Sequence, residues 1–143
     1  MTADDLVAQA IAEGRATLGI ELGSTRIKAV LIGEDHEPLA RGSHSWENQF
    51  VERRWTYSLD AVQAGLQDCY ASLARDVHHR HGVHLTTVAG LGISAMMHGY
   101  LAFDAAGELL TPFRTWRNTD TGAAADQLST LFGYNIPHRW STA

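Results

Sequence analysis

The sequence predicts an α/β fold: a mixed sheet that starts with three antiparallel strands and has helices packed on it. Three observations lead there. Strand-like segments at Leu18–Leu22, Ile27–Ile32 and Glu37–Ser43 follow one another across short polar turns, which suits an antiparallel meander. A long segment of helical periodicity comes next. After it, the β-branched and small-residue run Thr86–Ser94 has the composition of a buried strand that pairs in parallel. Neither an all-β sandwich nor a helical bundle fits this order.

Taken in order, Thr2 with Asp5 three residues on forms an N-cap pair, and Leu6, Val7, Ala10 and Ile11 recur at helical spacing up to Gly14. Residues 3–13 are therefore read as a surface helix, and residues 1–15 as an N-terminal extension to a domain spanning 16–143. A Gly-Ser-Thr turn joins the first two strands and a polar turn, "GEDHE", precedes the third. The stretch "SWENQFVERRWTYS" reads as irregular and aromatic, with Glu52–Arg54 as a solvated charge cluster. Ser58 caps the clearest helix, whose apolar positions are Leu59, Val62, Leu66, Cys69, Tyr70, Leu73 and Val77, ending near Gly82. Beyond Thr86–Ser94, strands are expected at Tyr100–Asp104 and Leu109–Trp116. A last helix from about Thr121 carries Ala124, Leu128, Leu131 and Phe132 on one face and stops at Gly133. The tail "YNIPHRWSTA" has no closing signature.

Composition narrows the function classes. The chain has 143 residues, 45% apolar and 19% charged, enough for one domain with a core. A formal charge of -5 argues against nucleic acid or an anionic membrane as the main partner. Cys69 is the single cysteine, which fits a reducing compartment. The acidic start "MTADDLVAQAIAEG" lacks the basic n-region and apolar core of a secretory signal, and no run approaches the roughly 20 apolar residues of a membrane span. These features read as a cytoplasmic protein.

The chemistry concentrates at "TLGIELGSTRIKAVLIG". The spacing is not that of a Walker loop, and no helix follows the turn as a dinucleotide fingerprint requires. A hairpin can still hold phosphate. Gly23 lets the backbone approach an anion, Ser24 and Thr25 add hydroxyl donors, and Lys28 adds positive charge. Glu21 then makes sense with Mg²⁺ and its waters between carboxylate and phosphate. The alternative from spacing alone is an ordinary hairpin with a polar tip.

"GIELGSTRIKAVLI" resembles the first phosphate motif of the FGGY family of carbohydrate kinases, which share a ribonuclease H-like, actin-like ATPase fold with actin, hexokinase and Hsp70-type ATPases. Glu21 stands at the family's Asp, Gly23 at its Gly, Ser24 at its Thr and Lys28 at its basic position. "GISAMMHGYLAFDAAGELLTPFRTWRNT" is similar to the stretch that carries Gln-Met-His-Gly and Trp-Asn-Asp in xylulokinase-like members. "SWENQ" with Trp55 is similar to the family's Trp-x-Glu-Gln segment and the tryptophan after it. The resemblance spans residues 16–143 and implies an incomplete first domain.

What it implies is specific. Gly23, Ser24, Thr25 and Lys28 would hold the phosphates of ATP, and Glu21 would meet Mg²⁺ through water. Met97, His98, Trp116, Arg117 and Asn118 would line the pocket of a small sugar or polyol, with Trp116 either core or the flat surface under the sugar. Met96 stands at the family's Gln, and "WRNT" replaces Trp-Asn-Asp, which puts D-xylulose itself in question. A ketose, a polyol or a sugar with an acidic group near Arg117 remain open. The family's general base, an aspartate, is expected beyond residue 143, so no catalytic residue is assigned here and the chain alone is expected not to turn over. Surface left open where the rest of the domain would pack invites a homodimer. The rival reading is a non-catalytic ligand-binding or assembly module on the same fold. The run "HHRHGVH" reads as cationic side chains at a helix C-terminus, with a metal tract as the alternative.

Overall fold

The computed structural model describes residues 2–134. Their elements are α1 (Ala3–Ala12), β1 (Thr17–Leu22), β2 (Arg26–Ile32), β3 (Pro38–Ser45), β4 (Gln49–Val51), β5 (Arg54–Thr56), α2 (Leu59–His81), β6 (Gly90–Ala95) and α3 (Gly122–Phe132). The main sheet has the order β3-β2-β1-β6, antiparallel except for β6, which runs parallel to β1. This is the expected mixed sheet opening with a three-strand meander.

Alternation along β2 decides which face is covered. Ile27, Ala29 and Leu31 are buried, while Arg26 and Lys28 between them are exposed. Helix α2 lies on the buried side against β3 and β2, and Cys69, Leu73 and Val77 complete the core with Ile27 and Leu31. Each such side chain contributes on the order of 1.5–3 kcal/mol relative to exposure. The helix can sit this close because position 42 is glycine. A Cβ there would stand 2.4 Å from the Cys69 carbonyl oxygen and 2.5 Å from the Leu73 nitrogen. Asp76 adds a polar staple by accepting from the Arg41 N–H at 2.9 Å. Burial pushes the Cys69 thiol above its ordinary range, and the neighbouring Asp68 adds to the shift.

The caps follow the sequence. Thr2 and Asp5 form a reciprocal capping box on α1, which holds the Asp5 carboxyl below its usual range, and Ile11 reaches the common core. The Ser58 side chain accepts from Ala61 N–H at the start of α2, and Gly82 ends it in the left-handed conformation.

Three expectations need correction. The "irregular" aromatic segment contains a small hairpin, β4–β5, whose turn residues Glu52 and Arg53 both have positive φ. Neither is the Gly or Asn that signals such a turn, so the sequence hid it. The strand expected at Thr86–Ser94 starts later, at Gly90, and is exposed rather than buried, because among the described residues β1 is its one neighbour in the sheet and none covers Leu91 and Ile93. Tyr100–Asp104 and Leu109–Trp116 are not regular strands; they meet through isolated bridges at Tyr100–Arg114 and Phe103–Leu109. Between them the Asp104 carboxylate accepts from the Ala106 and Glu108 N–H groups and closes the turn. The last helix, α3, forms as expected and stops at Gly133; Leu128, Leu131 and Phe132 are exposed. The tail after Tyr134 lies outside the described residues.

Candidate functional site

The turn between β1 and β2 is tight. Gly23 N–H donates to the Arg26 carbonyl at 3.0 Å, and a Cβ at Gly23 would come within 2.9 Å of that oxygen. The three carbonyls of the turn are all tied to the body of the protein. Trp46 Nε1–H donates to Gly23 O at 2.8 Å, the Tyr57 hydroxyl donates to Ser24 O, and Trp46 N–H donates to Thr25 O at 3.2 Å. Trp46 and Tyr57 are themselves buried and stacked, with centroids 4.3 Å apart, and Phe113 abuts Tyr57. Burial raises the Tyr57 phenol above its ordinary range, with a smaller opposing pull from Arg117, so it stays a donor. With its carbonyls drawn inward, the turn brings Ser24 and Thr25 to a cleft that Trp46, Trp55, Trp116 and Arg117 also line.

The far wall is held by a second set of bonds. The Trp55 carbonyl accepts from Thr115 N, Thr115 Oγ1 and Asn118 Nδ2, the last at 2.7 Å, while Trp55 N–H donates to Asn118 Oδ1 at 2.9 Å. Residues 115 and 118 are thus pinned to β5, and the two between them project over the cleft. Arg117 lays its guanidinium over the Trp55 ring, 3.8 Å from the centroid. Trp116, open in the sequence between core and surface, is more than half exposed.

The expected residues therefore divide. Ser24, Thr25, Trp116 and Arg117 share the cleft. Asn118 is turned away from it, its amide engaged with the backbone of Trp55 and Thr115. Met97 and His98 occupy a turn just beyond β6, His98 at positive φ, and neither lines this cleft. Glu21 and Lys28 pair at 2.9 Å on the uncovered face of the sheet, around the hairpin from Ser24 and Thr25, beside Arg41 and Ser94. Both are about half exposed. Among the described residues no three His, Cys, Asp or Glu side chains converge to hold an ion. The single carboxylate of Glu21 fits a Mg²⁺ held mostly by waters and phosphate oxygens. Of the histidine run, His81 Nε2 lies 3.0 Å from the Leu39 carbonyl, and the His78 and His84 rings stack.

Sequence reasoning missed two contributors. Tyr57 reaches Ser24 across 33 positions, which no local pattern encodes. Asn48 lines the cleft with its Oδ1 buried and without a hydrogen-bond partner. Leaving such an acceptor unsatisfied costs on the order of 1–3 kcal/mol. Its place inside the quoted "SWENQ" was the available signal.

Comparison with known proteins agrees with this architecture. Residues 16–137 match the N-terminal domain of the FGGY family of carbohydrate kinases. A xylulose kinase from Klebsiella pneumoniae is 28% identical over 124 residues, covering 80% of this chain and 22% of that protein. Among solved structures, a xylulose kinase from Lactobacillus acidophilus superposes with a TM-score of 0.66 at 19% identity, covering 84% of this chain and 23% of the other. A gluconate kinase from the same organism gives 0.63 at 19%, covering 83% and 23%. At that identity the likeness shows the fold, an actin-like ATPase domain in part, and the chain spans less than a quarter of the length of these relatives. With the family model matching most of its length, this chain belongs to the FGGY family of carbohydrate kinases, the match falling on the family's N-terminal domain.

Proposed function

We propose that the protein containing these residues transfers the γ-phosphoryl group of ATP to a hydroxyl of a ketose or polyol, in the cytoplasm. The observation that carries this reading is the inward tethering of the three turn carbonyls by Trp46 and Tyr57. It leaves the Ser24 and Thr25 hydroxyls as the donors of the turn, the polarity a phosphate needs, while Gly23, its N–H bonded to the Arg26 carbonyl, allows the close approach. In this reading Lys28 supplies positive charge and orients the Glu21 carboxylate through their ion pair. Mg²⁺, when bound, would neutralise the phosphate charge, and Glu21 would hold its water shell. Trp116 offers the C–H face of the sugar a flat wall, and Arg117 donates to its oxygens from a position fixed by Trp55. Met97 and His98 would reach the sugar from the turn after β6. Asn118 acts through Trp55 as a positioning residue. The base that takes the hydroxyl proton is assigned to a segment after residue 143, so the chain by itself is read as binding without turnover.

A second reading, an assembly module that associates as a homodimer, is favoured by the exposure of Leu91 and Ile93 on β6 and of Leu131 and Phe132 on α3. One experiment separates the two: ADP release over a panel of ketoses and polyols, measured on the protein as its cells produce it. Sugar-dependent ADP release supports the kinase. A concentration-dependent oligomer with no response to sugar or Mg²⁺-ATP supports assembly and defeats the proposal.

A further inference from the structure

We propose that Asn48 is a sugar-contacting residue whose Oδ1 accepts a hydrogen bond from a hydroxyl of the bound polyol or ketose. This rests on the reading of the aromatic cleft as the sugar site. Among the described residues, Asn48 Oδ1 is the one buried side-chain polar atom without a hydrogen-bond partner. Native structures satisfy nearly all such atoms, and an unsatisfied one beside a cleft marks a place where a ligand or its water supplies the donor. Asn48 lines the cleft that Ser24, Thr25, Trp55, Trp116 and Arg117 also line.

The chemistry of the walls says what the donor is. Arg117 brings N–H groups, the tryptophans bring flat apolar faces, and Ser24 and Thr25, assigned above to phosphate, close one end of the cleft. A carbohydrate hydroxyl both accepts and donates. The Arg117 donors bind its lone pairs and leave its proton needing an acceptor. Asn48 supplies that acceptor as a neutral amide, and Glu47 at the same cleft supplies a charged one. The acceptor is also held in place. Trp46, two positions before it, is bonded to the turn at both its indole and its backbone and stacked on Tyr57. The segment that braces the phosphate hairpin thus carries the sugar acceptor, which places the recognised hydroxyl at the end of the sugar beside Ser24 and Thr25.

The test uses the protein as its cells make it, with calorimetric titration of D-xylulose, D-ribulose, xylitol and glycerol and a thermal melt without ligand. Asn48→Leu removes the acceptor while keeping the same branching and number of side-chain heavy atoms, and Asn48→Asp keeps one. For whichever probe the wild type binds, Asn48→Leu is expected to weaken affinity about tenfold. The ligand-free melting temperature should hold or rise, because an unsatisfied amide has been replaced by an apolar group. Asn48→Asp should retain most of the affinity. Unchanged affinity in Asn48→Leu overturns the proposal while leaving the kinase reading intact. A lowered melting temperature or loss of folding in Asn48→Leu also overturns it, since the amide would then be holding the fold. If the wild type binds none of the probes, the sugar reading of the cleft falls and this inference falls with it.

Discussion

Tyr57→Phe isolates one atom of the hairpin's support. The substitution removes the hydroxyl that donates to Ser24 O and leaves the ring, so stacking on Trp46 at 4.3 Å and the contact with Phe113 at 5.8 Å survive. What changes is whether the Ser24 carbonyl finds another donor. Tyr57 is 2% exposed, and a phenyl ring in its place keeps water off that carbonyl from the same side. The expected loss is therefore the cost of a stranded acceptor, about 1–3 kcal/mol, rather than the smaller net value of an exchanged hydrogen bond. For a domain of this size that lowers the melting temperature by roughly 3–4 °C per kcal/mol, about 3–12 °C in all. The turn also loses one of three anchors, so Mg²⁺-ATP affinity should fall alongside stability. Chemical denaturation gives the first quantity and calorimetric titration of Mg²⁺-ATP the second. A variant as stable as the parent, with unchanged nucleotide affinity, would show that the hydroxyl does not hold the turn. Lost stability with intact nucleotide affinity would mean that the turn is braced but binds no phosphate.

Four further outcomes are expected. Glu21→Ala should abolish Mg²⁺-ATP binding yet change stability by less than about 1 kcal/mol, because the Glu21–Lys28 pair is half exposed on both sides; unchanged nucleotide affinity on titration would sink the hairpin assignment. Gly42→Ala should destabilise by at least about 1–3 kcal/mol, since its Cβ meets the helix backbone at Cys69 and Leu73 and no rotamer relieves that, and a denaturation midpoint equal to the parent's would refute the packing argument. In acid, the Asp76 carboxyl matters. The Arg41 N–H and then the Arg80 side chain hold its pKa below the ordinary 3.8, so its stabilisation is complete above that value and disappears as pH falls through the folded pKa. Asp76→Asn should flatten the acid limb of a stability–pH curve. At the alkaline end the sign reverses. Burial raises Tyr57 above its ordinary 10.0, so its contribution is intact below that value and is lost as pH climbs through the folded pKa, and Tyr57→Phe should remove that part of the slope.

Several elements were legible because their signals are local. Thr2 and Asp5, Ser58 and Gly82 act within a turn of their helices and did what their types predict. The alternation of buried Ile27, Ala29 and Leu31 with exposed Arg26 and Lys28 is likewise a local signal of which face of β2 is covered. The β4–β5 hairpin was not legible, since Glu52 and Arg53 reach positive φ without the residues that announce it. The exposure of β6 could not be read either. "TTVAGLGIS" has the composition of a covered strand, and composition does not say whether a covering element is at hand.

By itself the sequence determined the order of α1, the β1–β3 meander, α2, β6 and α3, together with the caps of α1 and α2, the polar turn at Gly23–Thr25 and the motifs that carry family membership. These are short-range features, set by backbone propensity and side chains a few positions apart. Which atoms of that turn face a ligand was decided only in three dimensions. Its acceptors are drawn inward by Trp46, 21 to 23 positions away, and by Tyr57, 33 positions away. Asn118, whose residue type suggested a ligand contact, was claimed instead by the backbone of Trp55, 63 positions away. Asn48, inside the "SWENQ" segment, was left with a buried acceptor that no described residue satisfies. Polar groups must find partners as they leave water, and the chain's path through space decides which partner each one meets.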